Sequence, residues 1–162
     1  MLKLILLLIF MTFINPSNSD NLSGFVKCNG TFPIEISHWT WSPDPIISNH
    51  SLEIEIGGTS TVTIEEGANY VSMIILNDQL LAIIVQDFCK GWVEPSGSHC
   101  PVSPGKFYYK RNTFAQPFEL NNVAQQFELN NVTVTQFVRV TIVNPDGYIL
   151  TCIEGDVERI YT

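Results

Sequence analysis

Asp87-Phe88-Cys89 and, after a short polar loop, Cys100-Pro101-Val102-Ser103-Pro104-Gly105-Lys106-Phe107-Tyr108-Tyr109-Lys110 form the stretch whose reading decides the fold. Two cysteines eleven positions apart bracket the loop, and a Pro-Gly corner follows the second. From Lys106 to Lys110 the residues alternate with the period of a strand that has one buried face. Lys106 and Lys110 then point outward, and Phe107 and Tyr109 inward. A pinned loop feeding a half-buried strand points to a β protein.

The same period recurs on either side of this stretch. Residues 34–39 are one candidate strand. Leu52, Ile54 and Ile56 alternate with Ser51, Glu53 and Glu55, and Gly57-Gly58 reads as the end of that strand. Val62 and Ile64 alternate ahead of Glu65-Glu66-Gly67. Residues 70–76 and 80–85 form a hairpin across Asn77-Asp78, both runs being almost continuously apolar. The inward phase of 70–76 is open, because its two alternating sets are apolar apart from Ser72. Val138, Val140 and Ile142 alternate with Phe137, Arg139 and Thr141, and Asn144-Pro145-Asp146-Gly147 is a turn leading into 148–153. Seven or eight short strands with turn signals between them predict an all-β, antiparallel sandwich.

One feature departs from this pattern. Phe118-Glu119-Leu120-Asn121-Asn122-Val123 recurs as Phe127-Glu128-Leu129-Asn130-Asn131-Val132, an offset of nine. An odd offset within one strand would put the two copies on opposite faces. Two readings stand: a local duplication with one copy in the sheet and the other in a loop near one end, or two strands joined at Ala124-Gln125.

At the N-terminus Lys3 precedes an apolar run from Leu4 to Ile14, and Ser17 and Ser19 are small residues suited to signal peptidase. The run is too short to span a membrane, which takes about 20 apolar residues. Residues 1–19 therefore read as a cleaved signal peptide and 20–162 as one domain, secreted or delivered to a vacuolar or lysosomal lumen. Without Lys3, seven basic side chains face sixteen acidic ones, a balance that disfavours nucleic acid as a partner. Four cysteines in a secreted chain allow three disulfide pairings, which spacing alone does not separate. Asn21, Asn29, Asn49 and Asn131 begin glycosylation sequons.

Signs of catalysis are missing from the sequence. It contains no G-x-S-x-G, H-E-x-x-H, P-loop or G-x-G-x-x-G motif. His38, His50 and His99 lie beside no nucleophile, and Glu53 and Glu55 share one outward strand face as solvated carboxylates commonly do. A binding protein without cofactor or metal is the expected class.

The order D-x-C, polar loop, C-P-x-x-P-G-x-F resembles the ML (MD-2-related lipid-recognition) domain family, nearest to its sterol carriers of Niemann-Pick C2 type and its phosphatidylglycerol/phosphatidylinositol transfer proteins. Trp41-Ser42-Pro43-Asp44-Pro45 and Asp146-Gly147, five residues ahead of Cys152, agree with it. The resemblance implies an immunoglobulin-like sandwich with a lipid between the sheets, and disulfides Cys28–Cys152 and Cys89–Cys100. The third disulfide usual in the family has no counterpart here.

Alternation and family position together nominate Ile54, Ile56, Val71, Met73, Ile75, Phe107, Tyr109, Val138, Val140 and Ile142 as lipid-lining residues. Lys90, Lys106, Lys110 and Arg111, a local concentration of scarce positive charge, are nominated for an anionic head group or membrane surface. The expected function is transfer of a sterol or phospholipid by a monomer that touches membranes transiently. The alternatives are a lipid-presenting recognition protein and a ligand-free adhesion module.

Overall fold

A computed structural model describes residues 20–116 and 132–162. The N-terminal apolar run, the repeated hexamer up to Asn131, and the Asn131 sequon lie outside the described residues. Among those described, the alternating segments become nine strands: β1 (Val26–Lys27), β2 (Ile34–Ser42), β3 (Ile46–Ile47), β4 (Ser51–Ser60), β5 (Asn69–Leu76), β6 (Gln79–Asp87), β7 (Gly105–Phe114), β8 (Val132–Val143) and β9 (Ile149–Tyr161). One sheet runs β1-β9-β8-β5-β6, with β3 also on β9; the other runs β2-β4-β7. Together they form the expected sandwich. Between strands every described pairing is antiparallel except that of β3 with β9, a two-residue parallel contact that alternation does not reveal, and an isolated bridge from Asn21 to His38 is parallel too.

Two local expectations change. Gly57-Gly58 does not end β4, which continues to Ser60. The glycines instead permit a close approach: opposite Gly58, β2 shifts register between Ile36 and His38, and a Cβ on Gly58 would collide with the Glu35 carbonyl oxygen. Val62 and Ile64 form no strand of their own; Ile64 makes a single bridge to Val102, with N···O distances of 3.0 and 2.9 Å. That bridge ties the segment after β4 to the residue following Pro101.

The turn at Asn144-Gly147 is held from both sides. Gly147 takes φ +86°, its N–H donates to Asn144 O at 2.9 Å, and the Asn144 side chain accepts from the Glu65 N–H at 3.1 Å. Cys28–Cys152 fastens β1 to β9, and Cys89–Cys100 closes the loop between β6 and β7. These are the two pairings that the family resemblance implies. Asn21, Asn29 and Asn49 are exposed.

The outer face of the β2-β4-β7 sheet is polar and internally paired. Lys110 Nζ lies 2.7 Å from Glu53 and 3.5 Å from Glu55, and His38 Nε2 lies 3.0 Å from Glu55. Hydrogen bonds from Tyr108 first, then from His38 and Lys110, hold the Glu55 carboxyl at about 2 instead of its ordinary 4.5. A folded pKa below the unfolded one stabilises the fold fully above pH 4.5, and this contribution disappears as pH falls through about 2. Urea melts of the wild type and Glu55→Gln should therefore converge between pH 4.5 and 2; a gap that stays constant over this interval would refute the assignment.

Candidate functional site

At one end of the sandwich the inward faces of the two sheets are closed by packed rings. There Phe88, Trp92, Phe107 and Tyr109 fill the space, with ring centroids of Phe107–Tyr109 at 5.5 Å, Phe88–Tyr109 at 5.9 Å and Phe88–Trp92 at 6.4 Å. Ile56, Val140 and Ile142 pack with them and are buried. Beyond this plug a cavity of about 560 Å³ opens between the layers, where Leu52, Ile54, Thr113, Ser72, Ile74, Val138 and Val157 are among the lining residues. Sheets that pack about 10 Å apart need side chains that meet across the gap, and at Ser72, Thr113 and Val138 only small ones face it.

The lining follows strand parity. Trp39 and Trp41 come from β2, Leu52 and Ile54 from β4, and Arg111 and Thr113 from β7. Tyr70, Ser72 and Ile74 of β5, Ile84 and Gln86 of β6, Gln136 and Val138 of β8, and Val157 and Arg159 of β9 form the opposite wall. The pairs Trp41↔Ile54↔Arg111 and Ile84↔Ser72↔Val140 set these parities.

Polar groups in the cavity are few and specific. Arg111 Nη1 donates to Gln86 Oε1, joining edge strand β7 to edge strand β6, and its guanidinium carbon sits 5.7 Å from the Trp92 ring centroid. Gln136 donates to the Tyr161 hydroxyl at 2.7 Å, and Arg159 donates to Gln116 O at 3.1 Å. Burial pushes the Tyr70 hydroxyl up to about 12, so it stays protonated. Among the described residues no carboxylate lines the cavity. A second depression of about 640 Å³ lies outside the sandwich over Gly57 and Gly58, but Asp20, Glu35, His38 and Lys106 make it polar and more open.

Of the ten nominated lining residues, Ile54 and Val138 border the cavity. Ile56, Phe107, Tyr109, Val140 and Ile142 point inward as expected but belong to the filled end. Val71, Met73 and Ile75 stand on the other face of β5, because the register with β8 turns Tyr70, Ser72 and Ile74 inward. The apolar surplus of the hairpin thus lies outside: Leu80, Ile83 and Val85 are exposed.

The four basic nominees do not share one surface. Lys110 is engaged by Glu53 and Glu55, Lys90 lies 3.9 Å from Asp87, Lys106 borders the outer depression, and Arg111 faces the cavity. Arg111 has the parity of Phe107 and Tyr109, a signal present in the sequence but outweighed by its adjacency to Lys110. Trp92, inside the disulfide loop, carries no periodic signal at all.

A two-layer β-sandwich with an apolar chamber between its sheets and two disulfides defines a class of small ligand-enclosing proteins. Residues 23–159 match the ML domain family, and the chain belongs to it. A Niemann-Pick type C2 protein from the Japanese carpenter ant superposes with TM-score 0.62 at 17% identity, over 83% of this chain and 98% of that one. Chicken MD-1, solved with lipid IVa, superposes with TM-score 0.53 at 13% identity, over 85% and 88%. At these identities the likeness is one of fold. No curated protein sequence matches this chain.

Proposed function

We propose that this protein binds one lipid, with its apolar part between the two sheets, and carries it between membranes. The supporting observation is the chamber of about 560 Å³ with mainly apolar walls in an ML domain. If each methylene takes up about the ~30 Å³ of a water molecule, that space holds roughly 18 of them, the apolar part of one acyl chain. Burying such a chain at about 0.8 kcal/mol per methylene gives more than 10 kcal/mol of transfer free energy, so enclosure alone supplies binding. Candidate cargoes are a sterol, or a phosphatidylinositol or phosphatidylglycerol with one of its two tails in that space. A secreted or lysosomal-lumen monomer that meets membranes briefly suits this role and the two disulfides.

Two measurements test it. The purified protein should carry a lipid detectable by native mass spectrometry and should speed movement of fluorescent lipid between vesicles. Val138→Trp places an indole in the chamber and should weaken lipid binding roughly 10- to 50-fold by displacing two or three methylenes, with the fold retained. Unchanged binding in that variant would move the ligand elsewhere. A copurified lipid without transfer would favour the alternative reading, a lipid-presenting recognition protein.

A further inference from the structure

Two guanidiniums, Arg111 and Arg159, line the cavity, and among the described residues Arg111 has no carboxylate as a partner. Arg111 lines the chamber, and among the described residues it meets neutral partners, the Gln86 amide oxygen and the Trp92 ring. No described carboxylate comes within 4 Å of it, although the chain carries sixteen acidic residues against eight basic ones. A guanidinium in largely apolar surroundings is costly unless an anion joins it.

Further donors in the same chamber lack acceptors. Trp39 and Trp92 both line it, and the indole N–H of each is buried without a hydrogen-bond partner. Three donor-bearing side chains and no carboxylate make a site that wants acceptor oxygens. The planar guanidinium fork fits the paired oxygens of a carboxylate or phosphate, which a sterol hydroxyl does not offer. With a net charge of −8, the protein's overall field repels anions, so their selection requires a local anchor of this kind.

Resting on the lipid-binding reading above, we infer that the cargo is a single-chain anionic amphiphile. Its carboxylate or phosphate is held inside the cavity by Arg111, beside Gln86 and Trp92, and its chain runs along Ile54, Ile74 and Val138. The head group lies between the edge strands β6 and β7, where Arg111 and Gln86 are half-buried.

Equilibrium dialysis of the disulfide-bonded protein against radiolabelled myristate, myristoyl-lysophosphatidate and myristyl alcohol tests this. At least one anion should bind ~10-fold or more tighter than the alcohol, and the tighter of the two names the source of the head group. Arg111→Met should abolish that preference, bringing the anion affinity down to that of the alcohol measured in the same variant. Arg111→Lys, which keeps the charge but not the fork, should lose roughly threefold or more in anion affinity, and it decides the matter if the methionine variant does not fold. Equal affinity for alcohol and anions, or a preference indifferent to both variants, overturns the anchor and leaves the lipid reading standing. Binding of none of the three overturns both.

Discussion

Replacing Cys28 and Cys152 together by serine should destabilise the domain by about 5 kcal/mol, the loop-closure entropy of a cross-link between residues 124 apart. For a domain of this size the melting temperature should drop by roughly 15–20 °C, read by near-ultraviolet circular dichroism. The bond also fastens a strand that little else holds. β1 contributes two residue pairs to β9, Val26 with Glu154 and Lys27 with Ile153, and Cys28 N–H adds one bond to Cys152 O at 3.1 Å. Phe25, packed against Trp39 and Trp41 at 6.0 and 5.7 Å, depends on that attachment and lines the cavity. The corresponding loss of Cys89–Cys100 should cost nearer 3 kcal/mol, because its loop spans eleven positions. If the long-range pair shifted the melt by under ~5 °C, loop-closure entropy would not be what this bond supplies.

Trp92→Ala should remove about 3–5 kcal/mol, the range for an aromatic deleted from a packed core. Trp92 is 1% exposed and sits at the junction of plug and chamber. It touches Phe88 at 6.4 Å on the filled side, and Trp39 at 6.1 Å and Tyr70 at 5.4 Å on the hollow side. The guanidinium of Arg111 lies over it. Its loss would merge the hollow with a new void and free Arg111 to move, so lipid affinity should decrease together with stability. A urea midpoint lowered at unchanged m-value would show that the native fold persists but is weaker. A change below ~1 kcal/mol would mean that the neighbouring rings collapse into the space.

Much of the fold was legible because alternation is a local property. Val138, Val140 and Ile142 are apolar while Phe137, Arg139 and Thr141 are mixed, so β8 announces its inward face without help from other strands. β5 does not, since Val71, Met73 and Ile75 are as apolar as Tyr70, Ile74 and Leu76. Its phase is set by pairing: Tyr70 opposite Ile142 and Ile74 opposite Val138 inherit the inward face of β8. The lining nominated on β5 therefore lies on the wrong face for the cavity. On β7 the nominated Phe107 and Tyr109 have the inward parity, but the hollow begins two and four residues further along, at Arg111 and Thr113. Strand parity tells which way a side chain points. It does not tell whether the opposite sheet reaches it.

By itself the sequence determined a β-sandwich of the ML family, because strand period, turn residues and the order of the cysteine and proline motifs are all written within short windows. The existence and position of the chamber were decided only in three dimensions. Whether space remains between two layers depends on the summed lengths of side chains brought together from β2, β4, β5, β7, β8 and β9. The same convergence turns Arg111 from a neighbour of surface lysines into a half-buried cation lining the cavity over Trp92.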